Sequence, residues 1–399
     1  MTRMKYVILV GDGMADEPQP SLGKKTPLEA ARTPNMDALA AAGLVRLVQT
    51  IPAGMSPGSD VANMSLMGYD PAEYYTGRAP IEAAGMGVEL DPRDTAFRCN
   101  LVHMEEGRMV DYSTGAIESA DAHALIAELQ PAIGTGSVRL FPGVSYRHLL
   151  LIRDFPRGEL SLTPPHDITD REVKDFLPRG AGSHLLTDIM ERARAVLKAS
   201  PHNARRAAAG KMTATDVWFW GQGAATVLPP LRERFGLQGA VISAVDLVRG
   251  LGRLAGMTAI TVQGATGYLD TNYAGKVEAA ARALESLDLV YLHVEAPDET
   301  SHEGSLPKKI QAIEDFDAKV VGEIARLRKR HADLRLLVLP DHATLLSTKT
   351  HHRMPVPFLA CGAGIPRGAA SSYCEKAAPE APLLTGPGLF EEFIRGDFA

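Results

Sequence analysis

Three short apolar runs constrain this fold more than any other feature of the chain: "KYVILVGDG" at 5–13, "LDLVYLHVEAPD" at 287–298 and "LRLLVLPDH" at 334–342. Each is rich in Val, Leu and Ile without alternation, the pattern of a strand buried on both faces, and such strands belong to parallel sheets. Between the last two lies "KKIQAIEDFDAKVVGEIARLRKR", with apolar residues at helical spacing and a basic last turn. That order predicts a strand, helix, strand crossover, and so an α/β protein built on a mostly parallel sheet flanked by helices.

The middle of the chain has another texture. "TAFRCNLVHMEEGRMVDYSTG", a helical "ADAHALIAELQPAI" and then "VRLFPGVSYRHLLLIRD" read as hairpin, helix and further strands. The flanks "ELDPRD" and "LTPPHDITDREVKDFLPRGAG" are loop-like. We expect a smaller α+β cap inserted at 93–180. It would split a catalytic, metal-binding domain into a first part at 1–92 and a second at 181–399. The segments "HLLTDIMERARAVLKAS", "TDVWFWGQG" and "GAVISAV" are expected to return the chain to the large sheet.

The 399 residues are 45% apolar and 23% charged, ordinary globular usage for one large domain and a smaller one. The net charge of −6 includes no basic block, which argues against nucleic acid as a partner. No apolar run approaches the roughly 18 residues of a membrane span, and the amino terminus leads straight into strand-like sequence. A cytoplasmic protein without a membrane partner is expected; a homo-oligomer is compatible with this. Cys99, Cys361 and Cys374 are far apart without CxxC spacing, so neither a disulfide framework nor a thiolate metal site is indicated.

The chemistry sits where the strands end. Asp12, Asp298 and Asp341 each close one of the three runs, and in a parallel sheet the carboxyl ends of strands line one crevice. Imidazoles accompany them. His302 follows Asp298 at helical spacing, His342 follows Asp341 directly, and His351 and His352 come ten residues later. Carboxylate and imidazole without thiolate suit a divalent ion such as zinc, manganese or magnesium. A cap or a satisfied core histidine explains any one of these residues; it does not explain the set.

"IPAGMSPGSDVANMSLMGYDP" adds a different component, placing the Ser59 hydroxyl at a helix amino terminus, where free amides favour an anion. A serine alcohol is a poor nucleophile until a metal lowers its pKa. Together with the metal cluster it points to phosphoryl transfer through phosphoserine.

The chain resembles the archaeal-type cofactor-independent phosphoglycerate mutases of the alkaline phosphatase superfamily. The resemblance runs through "GDGMAD", "KTPLEAARTPNMDALAAAG", "PGSD", "GYDP", "GRAPIEAAG", "GATGYLDTNYAGK", "HVEAPDETSHEG", "PDHAT" and "THHRMPVP". It implies a metal-binding α/β domain with a smaller cap, a phosphoserine intermediate and two divalent ions, manganese, magnesium or zinc. Position by position it implies Asp298, His302 and His351 at one ion and Asp12, Ser59, Asp341 and His342 at the other, with Ser59 the nucleophile. His351 is preferred to His352 because Pro355 sets the register.

Candidates for holding a small phosphorylated or hydroxylated metabolite are Arg78, Arg98, Arg147, His148, His166 and Lys276, since transferring a phosphoryl group requires cations around it. Cap closure over the metals would exclude water and so suppress phosphatase action. Two departures stand out: Asn63 where the mutases commonly have His four residues after the serine, and Met354 where many have Asp.

The wording of "PGSDVANMSLMGYDP", "YYTGRAP" and "TPPHDI" resembles most a bacterial branch proposed to be homoserine kinases. Two enzyme expectations therefore stand: interconversion of 3- and 2-phosphoglycerate without 2,3-bisphosphoglycerate, or ATP-dependent phosphorylation of homoserine on the same metal centre. No P-loop or kinase glycine loop is present, which favours the mutase. A phosphatase or a non-catalytic metal protein is the remaining alternative, and the intact ligand set argues against the latter.

Overall fold

The three apolar runs lie side by side. In the computed structural model, which describes residues 4–328, 331–379 and 381–398, Lys5–Gly11 is flanked by Leu289–Val294 on one side and Leu334–Leu339 on the other, both parallel to it. All residues of the two flanking strands are buried, as an unalternating pattern requires. The crossover between them therefore passes over Lys5–Gly11 instead of joining neighbours. Its helix runs from Leu306 to Leu327 with a π turn at Asp317–Val321; Lys329 and Arg330 of its basic last turn lie outside the described residues.

Five further strands complete an eight-stranded sheet: Gly239–Ile242 and Thr258–Ile260 beyond one side, Val356–Gly362, Leu44–Gln49 and Leu384–Thr385 beyond the other. Val356–Gly362 is antiparallel to both its neighbours, and the other pairs are parallel. The sheet belongs to the first of two units, Met1–Tyr75 with Val227–Ala399. A buried ion pair pins the loops at its carboxyl end. Lys309 Nζ donates to Asp16 Oδ2 (2.9 Å), the Ala15 carbonyl (3.2 Å) and the Thr344 carbonyl (2.7 Å), with both charged side chains fully enclosed. An enclosed ammonium is tolerable only with such partners.

The second unit, Thr76–Thr226, carries a five-stranded antiparallel sheet in which Asp94–Glu105 pairs with Arg147–Arg153 on one edge and Asp216–Ala224 on the other. Helices Ser119–Ile133 and Ser183–Ala199 bury Leu125, Leu129, Leu186, Ile189 and Leu197 in one core with Phe97, Trp218 and Phe219. This corrects the expected return to the large sheet for two of its three segments, whereas "GAVISAV" does join that sheet at Gly239–Ile242. "TDVWFWGQG" is a strand of the smaller sheet, and residues 181–226 pack with the insertion. A run of buried aromatics states that a strand is covered, not which sheet it joins. At the other end, Ala79 and Ala83 of helix Arg78–Met86 pack on Ala96, Leu149 and Leu151, so this helix too belongs with the insertion. No helix among the described residues is long and apolar enough to cross a membrane.

Candidate metal centre

Asp12 follows the central strand immediately, and its N–H donates to the Val294 carbonyl of the neighbouring strand (2.9 Å). Gly13 then turns with φ +61°, where a Cβ would lie 2.5 Å from Asp298 Oδ1 and 2.6 Å from Thr344 Oγ1. Only glycine fits that close approach. Its N–H donates to Asp341 Oδ1 (3.2 Å), which also accepts from the His342 N–H (2.9 Å). Three carboxylates from three parallel strands are thereby brought to one buried cradle, as their positions at strand ends predict.

Asp298 and His302 lie one turn apart on helix Ala296–His302, with His302 Nε2 3.0 Å from Asp298 Oδ2. The other ring nitrogen, Nδ1, faces the Lys349 carbonyl at 2.8 Å and so carries a hydrogen, leaving Nε2 as the metal-facing nitrogen when the ring is neutral. His351 joins them, its Nε2 3.1 Å from His302 Nε2 and 3.7 Å from Asp298 Oδ1. His351 stands on the short strand Thr350–His352, paired with Ala343–Leu345. Side chains alternate along a strand, so His352 points away; it is exposed, and its Nδ1 accepts from the Met354 N–H.

His342 lies among the remaining groups. Its Nε2 is 3.1 Å from Ser59 Oγ, 3.4 Å from Asp12 Oδ1 and 3.5 Å from Asp341 Oδ2, and its ring centroid is 4.3 Å from that of His351. Ser59 is the first residue of helix Ser59–Leu66 and is half-buried. The ligand-type atoms converge in two groups, Asp298 with His342 and His351, and Asp12 with His293 and Asp341.

His293 was not singled out from sequence, although it stands in the quoted "HVEAPDETSHEG". It is fully buried, with Nε2 3.1 Å from Asp12 Oδ2 and Nδ1 3.3 Å from Ser243 Oγ. Its place five residues before Asp298 hides it, because a histidine inside an apolar strand reads as core. The register that puts it beside Val10, two residues before Asp12, is tertiary.

The electrostatics call for a cation. Burial and then the charges of Asp341, Asp298 and Glu295 hold the Asp12 carboxyl well above its usual range, a shift that a bound cation would oppose. Burial opposes ionisation of Asp298 as well, but hydrogen bonds from His302 and His351 outweigh it and hold that carboxyl well down. Burial pushes His293 down to about 4 and lowers His342, so both rings are neutral. For His302, burial is outweighed by Asp298, and the imidazole is raised to about 9.

Among the described residues no hydrogen bond of good geometry reaches the enclosed Asp12 Oδ1 and His293 Nε2, although the latter lies 3.1 Å from Asp12 Oδ2. Two ligand atoms bound tetrahedrally at about 2.1 Å sit about 3.4 Å apart. The spacings of 3.0–3.7 Å between the nitrogens and oxygens here match that requirement. These residues fit a divalent ion.

The predicted substrate-binding residues divide. In the second unit Arg78 and Arg98 both bond Glu82, at 2.9 and 2.7 Å, and the Arg98 guanidinium lies 4.0 Å above the Trp220 ring. Burial pushes Arg98 down to about 10 against the pull of Glu82. Arg147 is exposed at the start of its strand, and its charge helps to hold Glu82 ionised; exposed His166 meets Trp220 edge-on at 5.2 Å. His148 departs from expectation: it is buried, Nδ1 accepts from the Gly143 N–H at 3.1 Å, and burial pushes it down to about 3. It shapes the turn before its strand and presents no surface to a substrate. In the first unit Lys276 is enclosed, donates to the His293 carbonyl at 3.0 Å and is pushed by burial down to about 8.

A family model described as 2,3-bisphosphoglycerate-independent phosphoglycerate mutase matches residues 40–203. Proteins of that name from Methanosarcina barkeri and Methanothrix thermoacetophila are 53% and 50% identical to this chain. The first similarity covers 89% of each protein; the second covers 98% of this chain and 100% of the relative. Among solved structures, a protein from Pyrococcus horikoshii superposes with a TM-score of 0.82 at 27% identity, covering 100% of this chain and 99% of that one. A cofactor-independent phosphoglycerate mutase from Thermoplasma acidophilum shares the fold at a TM-score of 0.67 and 24% identity, with 99% and 100% covered. The homoserine kinase expectation finds no support in these relatives.

Proposed function

The chain belongs to the 2,3-bisphosphoglycerate-independent phosphoglycerate mutase family, and from that premise we propose that it interconverts 3-phosphoglycerate and 2-phosphoglycerate through a phosphoserine at Ser59. The observation that carries this reading is Ser59 Oγ at 3.1 Å from His342 Nε2, on the first turn of a helix, beside two groups of metal-ligand type.

Asp298, His302 and His351 would hold one divalent ion, and Asp12, Ser59, Asp341 and His342 the other, with His293 flanking the second through Asp12. Manganese, magnesium and zinc all suit these oxygen and nitrogen donors. Bound there, such ions lower the pKa of a coordinated hydroxyl and offset the charge of a transferring phosphoryl group. Ser59 Oγ gives up its proton and forms a bond to phosphorus as the bond from phosphorus to O3 of the glycerate breaks and O3 takes up a proton. The second half reverses this with O2, so no nucleotide and no net water enter the balance. Free amides at the start of helix Ser59–Leu66 favour the phosphate on Oγ.

Arg78, Arg98 and Arg147 supply positive charge in excess of Glu82 and are the candidates for the carboxylate and phosphate of the substrate, with His166 beside them; Lys276, enclosed against the His293 carbonyl, presents no more surface than His148. The substrate is thus a small phosphorylated metabolite.

The test is phosphorus NMR on manganese-loaded protein given 3-phosphoglycerate alone. Appearance of 2-phosphoglycerate without nucleotide is expected. Loss of substrate only to inorganic phosphate, or turnover confined to homoserine with ATP, would overturn the proposal.

A further inference from the structure

The helix that carries Ser59 reaches the metal centre twice. One turn after Ser59, the fully buried Asn63 points its amide at Asp341: Nδ2 is 2.7 Å from Asp341 Oδ2 and 2.8 Å from the Ser59 carbonyl. Both of those partners are acceptors, so the NH2 group faces them. The remaining atom, Oδ1, accepts from the hydroxyl of the fully buried Tyr291 at 2.5 Å. Every polar atom of the amide is therefore used, and its orientation is set by the two acceptors: reversing it would turn Oδ1 toward the Asp341 carboxylate and the Ser59 carbonyl and lose both of those bonds.

Asp341 is held equally closely. Oδ1 takes the Gly13 and His342 N–H groups, and Oδ2 takes the Asn63 amide. A carboxylate with both oxygens bonded has one plane left in which to meet an ion, the way partners behind a ligand orient it. Through one helix turn Ser59 contacts His342 while Asn63 contacts Asp341, its neighbour in sequence. The spacing from serine to metal ligand is thus set by a helical repeat of four residues and two adjacent residues at a strand end.

We propose that Tyr291 and Asn63 form a positioning relay that orients the Asp341 carboxylate toward the second ion and holds it in register with Ser59. The inference rests on the metal centre proposed above. Neither residue contacts the substrate, so both act through Asp341. Asn63 stands where the mutases commonly have His; in this chain Asp341 and the Ser59 carbonyl select the orientation of its amide, and the Tyr291 hydroxyl holds the amide's far side in place.

Tyr291→Phe removes one hydroxyl without changing shape, and Asn63→Leu removes the amide at similar volume. The experiment titrates each purified full-length variant with Mn2+, followed by EPR and calorimetry, alongside kcat and KM for 3-phosphoglycerate. Tyr291→Phe is expected to weaken one of two Mn2+ binding events by about 10-fold, to lower kcat and to leave KM nearly unchanged. The double variant is expected to be no worse than Asn63→Leu alone, because Tyr291 acts only through Asn63.

Additive losses in the double variant, or Mn2+ isotherms unchanged in Tyr291→Phe, would overturn the relay. If Asn63→Leu fails to fold, the Tyr291→Phe isotherm decides alone. The Mn2+ titration needs no turnover, so failure of the mutase reading and failure of the relay are separately visible.

Discussion

At the carboxyl end of the large sheet, Asp12, Asp298 and Asp341 are buried among four imidazoles, whereas in the smaller unit Arg78, Arg98 and Arg147 gather on the single carboxylate of Glu82. The two regions err in opposite directions. In the first, burial and like charge hold the Asp12 carboxyl well above its usual range; in the second, burial pushes Arg98 down to about 10 while Glu82 is held ionised by its arginines. Burying unbalanced charge is costly, and each imbalance names the ligand that would relieve it: a cation for the first, an anion for the second. The buried Lys309 and Asp16 pair shows what a balanced version looks like, with every partner supplied by the protein.

The comparison breaks most sharply at the nucleophile. Ser59→Ala should lower turnover at least about a thousandfold, since it removes the proposed attacking oxygen. Metal content by elemental analysis should stay close to that of the wild type, because the other ligands remain. An active Ser59→Ala enzyme would sink the covalent route.

A smaller loss is expected on the anion side. Arg98→Met keeps the stacking on Trp220 but removes a charged hydrogen-bonding group worth about 1.5–3 kcal/mol, so kcat/KM for 3-phosphoglycerate should fall about 10- to 100-fold with metal binding untouched. Unchanged kcat/KM would assign the arginine cluster a purely structural part.

The smallest effect concerns pH in the metal-free protein. His302 is raised to about 9 from an unfolded value of about 6.5, so its contribution to stability is fully present below pH 6.5 and is lost as pH rises through 9. The Tm of chelator-treated protein should fall across that window more in the wild type than in His302→Gln. Over the same range Mn2+ affinity should rise, as protons cease to compete for Nε2. Identical Tm profiles for the two proteins would remove the coupling between Asp298 and His302.

Much of the centre is legible in the sequence because its parts are local. Asp298 and His302 are one helical turn apart, Asp341 and His342 are adjacent, and Asp12 ends an unmistakable strand. Other features are not local. His293 sits inside an apolar strand, and only strand register brings it to Asp12. Tyr291 looks like a core aromatic; its hydroxyl matters because a helix from residue 59 onward packs against that strand. The substrate candidates show the same limit in reverse, since His148 in "SYRHLL" looks as available as Arg147 but alternation along the strand turns it inward.

By itself the sequence determined the parallel α/β sheet, the insertion in its middle, the metal-ligand residue types at strand ends and the serine at a helix start. Those follow from periodicity, short-range spacing and resemblance across nearly the whole chain. The tertiary structure decided that residues 181–226 belong to the smaller unit, that His293 stands beside Asp12, and how the ligand atoms divide between two groups. Such choices depend on which buried surfaces meet. An apolar pattern states how much of a strand must be covered and leaves open what covers it.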